Sequence, residues 1–385
     1  MKQGARRRYG QGYGQGYGQA HGLAAVLLAA MACGFTGTLA SAQSNDLLTA
    51  AGRGDLPTVN ALLKAGADVN DAKYTGSGST TALMEAASHG HLEVIQALLA
   101  AKADVNATQG RSSTDGDTAL TLATMNGHMN VVQALLAAKA DVNAGSRPAL
   151  YVAATIGNQE MAKVLLAAKP DLDRQDPWLG ATALMQTLAP WGSGFAPPNQ
   201  LQPSSSRWEI ARLLVDAGAN VNVMTRAGVT ALMFAAQENS PRGLEMVQAL
   251  LAAHADVNGG CVCRTAALLP IGSARHSGAM GYTALGLAVS RGSVEVVQAL
   301  LEANAQRAAN ASIAVDAKQS GGDTPLTLAA ARGRSDVVRL LLAAKADVGA
   351  ANDDGKTALM LALENDHAEV AELLRSAIAT LPGQK

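Results

Sequence analysis

Cys261 and Cys263 lie one residue apart in "GGCVCRTAALLPIGSARHSGAMG", the tightest grouping of reactive side chains in the chain. Redox exchange is one chemistry open to such a pair. It needs an accessible thiolate of low pKa, and Arg264 is the only cation nearby. A closed local disulfide, or two idle thiols, asks for nothing more. A zinc site would have to recruit His254 and His276, at spacings that match no structural zinc motif, so no metal site is assigned. Elsewhere there is no Ser/His/Asp grouping, no paired carboxylates in a defined loop and no phosphate-cradling glycine loop. No catalytic residue and no cofactor is therefore assigned, and a non-catalytic protein is expected.

Aromatic residues offer binding rather than catalysis. Trp178, Trp191 and Trp208 are the only tryptophans, and Phe195 lies between the last two in "PWGSGFAPPNQLQPSSSRW". Trp191, Phe195 and Trp208 on a Pro/Ser-rich loop fit a partner-binding patch, since buried Trp commonly anchors interfaces. The same rings can instead fold back and plug a gap in an irregular part of the chain.

The elements that must position these residues are written in repeats. "LLAAKADVNA" occurs at Leu98–Ala107 and again at Leu135–Ala144, with relatives starting at Leu62, Leu250 and Leu341. One full copy, "TALMEAASHGHLEVIQALLAAKADVNA" from Thr81 to Ala107, holds two helical segments. Thr81 can cap the first helix through its hydroxyl. Leu83, Ala86 and Ala87 follow at helical spacing, and Gly90 supplies an end without Cβ strain. Val94, Ile95, Leu98 and Leu99 form an apolar stripe that one short helix cannot bury alone. Asp and Asn of "ADVN" satisfy local backbone groups in a turn. Aromatics are 3% of the residues against 48% hydrophobic, so the core is Ala, Leu, Val and Met, which suits closely packed short helices.

This unit resembles the ankyrin repeat, a β-turn plus two antiparallel helices opened by "TPLHxA". The resemblance rests on "T-A/P-L", a small pair, Gly, "E-V-V-Q-A-L-L" and "A-D-V-N" in register. Openings fall at Thr81, Thr118, Pro148, Thr182, Thr230, Thr283, Thr324 and Thr357, after an atypical one at Asn45. The fold expected is an all-α repeat solenoid of about nine ankyrin repeats over 43–385. Successive openings from Thr81 are 37, 30, 34, 48, 53, 41 and 33 residues apart. Against a family period of ~33, insertions are placed near 190–207, 259–281 and 306–322. The family's His after "T-P-L" is missing: Met84, Thr121, Tyr151, Met185, Met233, Gly286, Thr327 and Met360 stand there. The Thr–His bonds are thus expected to be absent, with Met packing in their place. The family's left-handed glycine is kept at Gly66 and Gly218 and replaced by Lys102, Lys139, Lys169, His254, Asn304 and Lys345. His91 and His128, after the interhelix glycine, are read as structural.

Family members hold protein partners at the turn tips and on the inner face of the first helices, a concave groove. Carried over residue by residue, the resemblance implies contacts at Asp117, Arg147, Val229, Tyr282, Asp323 and Lys356, just before the openers. It also implies Met125 and Asn126, Thr155 and Ile156, Ser290 and Arg291, and Ala331 and Arg332, just before the interhelix Gly. Gln237 and Glu238 take the equivalent place. The bias toward Arg291, Arg332 and Lys356 suits an acidic or polar protein partner.

The first 42 residues are of another kind. Lys2, Arg6, Arg7 and Arg8 precede the thirteen-residue apolar run Leu23–Phe35 and then "ASA" at Ala40–Ala42. That run is short of the ~20 residues of a spanning helix, so 1–42 reads as a signal peptide whose low-complexity "YGQGYGQGYGQ" lies in its n-region. A short membrane anchor is the alternative. The residues after Arg6–Arg7 fit a twin-arginine signal poorly, and those before Cys33 fit a lipoprotein site poorly. Four of the 30 basic residues and none of the 31 acidic ones lie in 1–42, leaving 26 − 31 = −5 for the rest. That balance, without basic clusters, predicts no nucleic-acid partner and no membrane insertion after signal removal. The expectation is an exported monomer, periplasmic or secreted, that binds a protein partner through the groove. Alternatives are a periplasmic redox or oxidative-defence factor using Cys261 and Cys263, and an exported effector or toxin-neutralising protein.

Overall fold

The computed structural model describes residues 46–74, 78–109, 116–188, 204–259, 261–263, 280–305 and 313–380. The expected signal peptide lies outside the described residues, as do Trp191, Phe195, Arg264 and His276. Helices alternate along the chain in pairs. First helices are α1 (46–53), α3 (Ala82–His89), α5 (Ala119–Met125), α7 (Ala149–Ile156), α9 (Ala183–Leu188), α11 (Ala231–Ala236), α13 (Ala284–Arg291), α15 (Pro325–Ala331) and α17 (Ala358–Glu364). Second helices are α2 (Leu56–Lys64), α4 (Leu92–Ala100), α6 (Met129–Ala137), α8 (Gln159–Ala167), α10 (Ser204–Asp216), α12 (Pro241–Ala252), α14 (Val294–Ala305), α16 (Ser335–Ala343) and α18 (Ala368–Ala379). From α3 on, each first helix packs on the next, and second helices stack likewise except between α6 and α8, where the contact is weaker. The molecule is an all-α repeat solenoid.

Local chemistry fixes where each first helix begins. Thr81, Thr118, Thr230, Thr283, Thr324 and Thr357 hold extended backbone, and each hydroxyl accepts the N–H three residues on, at 3.1–3.4 Å. Each bond satisfies one orphan donor of a helix end. Gly90, Gly157 and Gly292 end their helices in the left-handed region, and Asp366 takes the same conformation at φ 58° in the last pair.

Packing repeats as regularly as the caps. One Leu at an equivalent position in each second helix from α4 on forms a column: Leu98, Leu135, Leu165, Leu214, Leu250, Leu300, Leu341 and Leu374 are fully buried. Each contributes about 1.5–3 kcal/mol of apolar burial. Ala86, Ala87, Ala123, Ala153, Ala235, Ala288, Ala329 and Ala330 line the first helices without exposed surface, their size letting helix backbones approach closely. Met84, Met185 and Met233 are buried at the missing-His position, as expected, whereas Met360 in the last pair is half-exposed. Where Thr stands there, its hydroxyl bonds the backbone: Thr121 Oγ1 donates to the Arg147 carbonyl and Thr327 Oγ1 to that of Thr324.

The "ADVN" phrase proves to be more than a turn. Within a unit, Asp104 Oδ1 accepts the Asn106 N–H at 2.9 Å; across units, Asn106 Oδ1 accepts the Asp141 N–H at 2.8 Å. The alternation continues through Asn143, Asp171, Asp173, Asn220, Asn222, Asp256 and Asn258 to the Ala314 N–H. Asp68 and Asn70 start it and Asp316 resumes it toward Asp347. The segment Ile313–Asp316 therefore occupies an "ADVN" turn, so the insertion placed at 306–322 ends before residue 313. Ile313, apolar and buried, had hidden it in the sequence.

Two further expectations about backbone were tested by the fold. Lys102, Lys139, Lys169, His254 and Lys345 do adopt positive φ, between 54° and 68°, a conformation costly for a residue with a Cβ. Asn304 does not, because α14 continues through it to Ala305. His91 and His128 are structural: each Nε2 donates at 3.1 Å to a carbonyl near the end of the preceding first helix, at Gly52 and Ser88. His367 does the same to Ala331 at 3.2 Å.

Candidate partner-binding surface

Turn tips and the C-terminal ends of first helices carry the candidate residues. The tips are closed by short antiparallel pairings. β1 (Lys73–Tyr74) pairs with β2 (Ser79–Thr80), and single bridges join Thr108 to Thr118, Met224 to Thr230 and Ala351 to Thr357. β3 (Cys261–Cys263) pairs with β4 (Met280–Tyr282), Cys261 opposite Tyr282 and Cys263 opposite Met280. Cys261 and Cys263 thus sit two residues apart on an extended strand, about 6.6 Å between Cα atoms. Among the described residues, no group of three His, Cys, Asp or Glu is placed to hold a metal ion.

On the N-terminal half of the surface two candidate charges are paired with one another. Arg147 Nη2 lies 2.8 Å from Asp117 Oδ2, with both side chains largely covered. Tyr151, 8% exposed, accepts from the Gln186 amide. Burial, and then the Asp176 charge, push its phenol up to about 12. Asp176 itself is buried and ties down its loop, accepting the N–H groups of Trp178, Leu179 and Ala181. Beyond these, Met125 and Asn126 are half-buried, and Asn126 reaches across to the Ser88 hydroxyl at 3.4 Å.

Several expected contact residues are placed otherwise. Val229 is 1% exposed, because backbone bonds between Thr225 and Val229 close the tip and turn the side chain inward. It offers no surface to a partner. Gln237 is 7% exposed and points its amide to the Met233 carbonyl, leaving Glu238 as the accessible member of that pair. Trp208 is not on a loop: it lies in α10, half-buried against the core beside Arg212, Arg242, Glu245 and Met246. The ring therefore does the covering work that was the alternative reading. Trp178, on the Asp176 loop, is the exposed tryptophan of the described residues. Lys356 is engaged by Glu364 at 2.7 Å, which raises its pKa.

The C-terminal half is different. Arg291, Arg332 and Arg334 are all exposed, at the ends of α13 and α15 and in the turn beyond α15. Arg332 Nη1 donates to the Ser290 carbonyl at 2.7 Å and to the Ser290 hydroxyl. Burial, then the charges of Arg334 and Arg291, lower its pKa. Arg334 had not been singled out in the sequence. It occupies the position of His91, His128 and His367, and as their rings lie over Gly54, Gly90 and Gly333, its guanidinium lies over Gly292, where a Cβ would be 2.6 Å from Cζ. The pattern that could have found it is the His column itself.

Models of the family described as ankyrin repeats match residues 34–109, 108–176, 261–351 and 307–381, and a single ankyrin repeat matches 227–260. Together these cover well over half of the chain. The protein belongs to the ankyrin-repeat family. Ankyrin repeats are generally protein–protein interaction modules, and members of the family are typically non-catalytic scaffolds. No curated protein matches the chain. The span 177–226 left between the ankyrin matches is where α9 and α10 carry the longest gap between paired helices, yet both pack on their neighbours as the other pairs do. Among the described residues, no helix of this ankyrin-repeat protein is long and apolar enough to cross a membrane.

Proposed function

We propose that this is an exported, non-catalytic ankyrin-repeat protein that holds a protein partner on the turn tips and ends of its first helices. One observation carries the reading. The buried Leu and Ala columns and, but for one break, the Asx ladder recur from unit to unit, whereas the half-buried or exposed helix ends differ: Met125–Asn126, Glu238, Ser290–Arg291 and Arg332. Structure explains the constant residues, which leaves recognition to the variable ones. Export, to the periplasm or beyond, is supported by the basic start, short apolar run and "ASA" of residues 1–42. A monomer is the working state.

Capture experiments with the processed chain from its native compartment test this. Asn126→Trp and Glu238→Trp, which add bulk to the proposed surface, are expected to abolish capture of a partner. Lys163→Glu on the second helix α8 is expected to leave it intact. Equal capture by all three variants would place the interaction elsewhere. The mature protein should begin at Gln43, which mass measurement of the fractionated protein checks.

A further inference from the structure

The arginine patch of the seventh and eighth pairs carries a statement about the partner's chemistry, resting on the surface proposed above. Arg291, Arg332 and Arg334 form no ion pair among the described residues. The carboxylate that acts on Arg332 is that of Asp323, and it already accepts from Thr327 Oγ1 at 3.3 Å and Asn352 Nδ2 at 3.1 Å. Two other candidate cations of this surface are paired: Asp117 holds Arg147 and Glu364 holds Lys356. Three like charges gathered across two adjacent units make an electropositive patch open to an external anion.

Arg334 sharpens the point. At its position in other units an imidazole N–H donates to a carbonyl of the preceding first helix, as His91, His128 and His367 do. Here that role has passed to Arg332, which bonds the Ser290 carbonyl. The Arg334 guanidinium, resting on Gly292, keeps its planar set of donors for something else. Such a fork suits a carboxylate in two-point contact.

We propose that Arg291, Arg332 and Arg334 seat an acidic, extended segment of the partner protein, with carboxylates three residues apart. The spacing follows from the fold. Equivalent positions on packed neighbouring helices are about 8–10 Å apart, and three residues of extended chain span about 10 Å. A nucleic acid is the poorer occupant, because the chain from residue 43 carries a net charge of −5 that repels a long polyanion.

The test uses the full processed chain and a fluorescein-labelled 13-residue Gly/Ser peptide with Glu at every third position. Its Gln twin and an oligothymidylate of equal charge serve as competitors. Saturable binding of the Glu peptide that weakens with salt is expected. Arg291→Gln and Arg334→Gln should each weaken it about fivefold or more, and Arg334→Lys less. Arg212→Gln, the same charge change on α10, should leave it unchanged, and urea midpoints should confirm that all variants fold. The assignment is overturned by equal binding of the Gln twin, by tighter binding of the oligonucleotide, by no saturable binding, or by an equal loss in Arg212→Gln. Partner capture that responds to Asn126→Trp but not to the arginine variants would remove the acidic segment and leave the binding surface standing. Peptide binding that follows the arginines while capture ignores Asn126→Trp would do the reverse.

Discussion

Tyr151 stands where the ankyrin consensus has histidine, and its surroundings give it a measurable signature. Its ring is buried, its hydroxyl takes a bond from Gln186, and the charge of buried Asp176 lies close enough to oppose a phenolate. The folded-state pKa of about 12 exceeds the ordinary value of 10. A raised pKa means that Tyr151 stabilises the fold fully below pH 10, and that this contribution disappears as pH climbs from 10 through 12. The amount at stake is on the order of 2 kcal/mol. Ultraviolet difference titration of the protein against Tyr151→Phe should show one phenol ionising near pH 12. Asp176→Asn should bring that midpoint down, and an unshifted phenol near pH 10 would refute the account.

At the scale of the element, the end of each second helix decides stability more than its interior does. Interiors are already satisfied: an Ala/Leu/Val sequence in register buries its stripe completely. The residue after the helix is the strained one. Lys139 holds φ 66° where Gly66 and Gly218 hold 87° and 88° without any neighbour within reach of a Cβ. Space is not the difficulty there; the backbone conformation is. Lys139→Gly should raise stability by on the order of 1 kcal/mol, less the extra entropy glycine gives the unfolded chain. A shift of the urea midpoint to higher concentration at unchanged slope checks it. The same change at Asn304, which lies inside α14, should destabilise instead, by roughly 0.3 kcal/mol.

Across the whole molecule, units are joined by two continuous devices, the apolar columns and the Asx ladder, and the second has one interruption. The Ala314 N–H donates to Asn258 Oδ1, but Ala314 has no side-chain oxygen to accept the N–H two residues on, as Asp104, Asp141 and Asp256 do. Nearest-neighbour coupling sets the cooperativity of a repeat array. Ala314→Asp should therefore add about 0.5–1.5 kcal/mol and steepen the equilibrium transition. An unchanged midpoint would show that the ladder satisfies turns without coupling units. Most of this architecture was legible in advance. The openers, interhelix glycines, left-handed lysines and leucine columns are where the repeated phrases put them. The binding surface was less legible: Val229 and Gln237 turned inward, Trp208 proved to be helical, Lys356 was found paired, and Arg334 had passed unnoticed.

Physics divides the two sets of results. Helix starts, stops and turns depend on bonds that close within a few residues, such as Thr118 to the N–H of Thr121 or Asp141 to that of Asn143. Repetition of those local instructions every thirty-odd residues determines a solenoid, because each apolar stripe has only its neighbour's to bury against. Which surface charges are free depends instead on partners a unit away: Asp117 with Arg147 across 30 residues, Ser290 with Arg332 across 42. Family and fold were therefore determined by the sequence alone. The placement of three uncompensated arginines on adjacent units was decided only by the tertiary structure, because pairing is a matter of distance between units rather than of order along the chain.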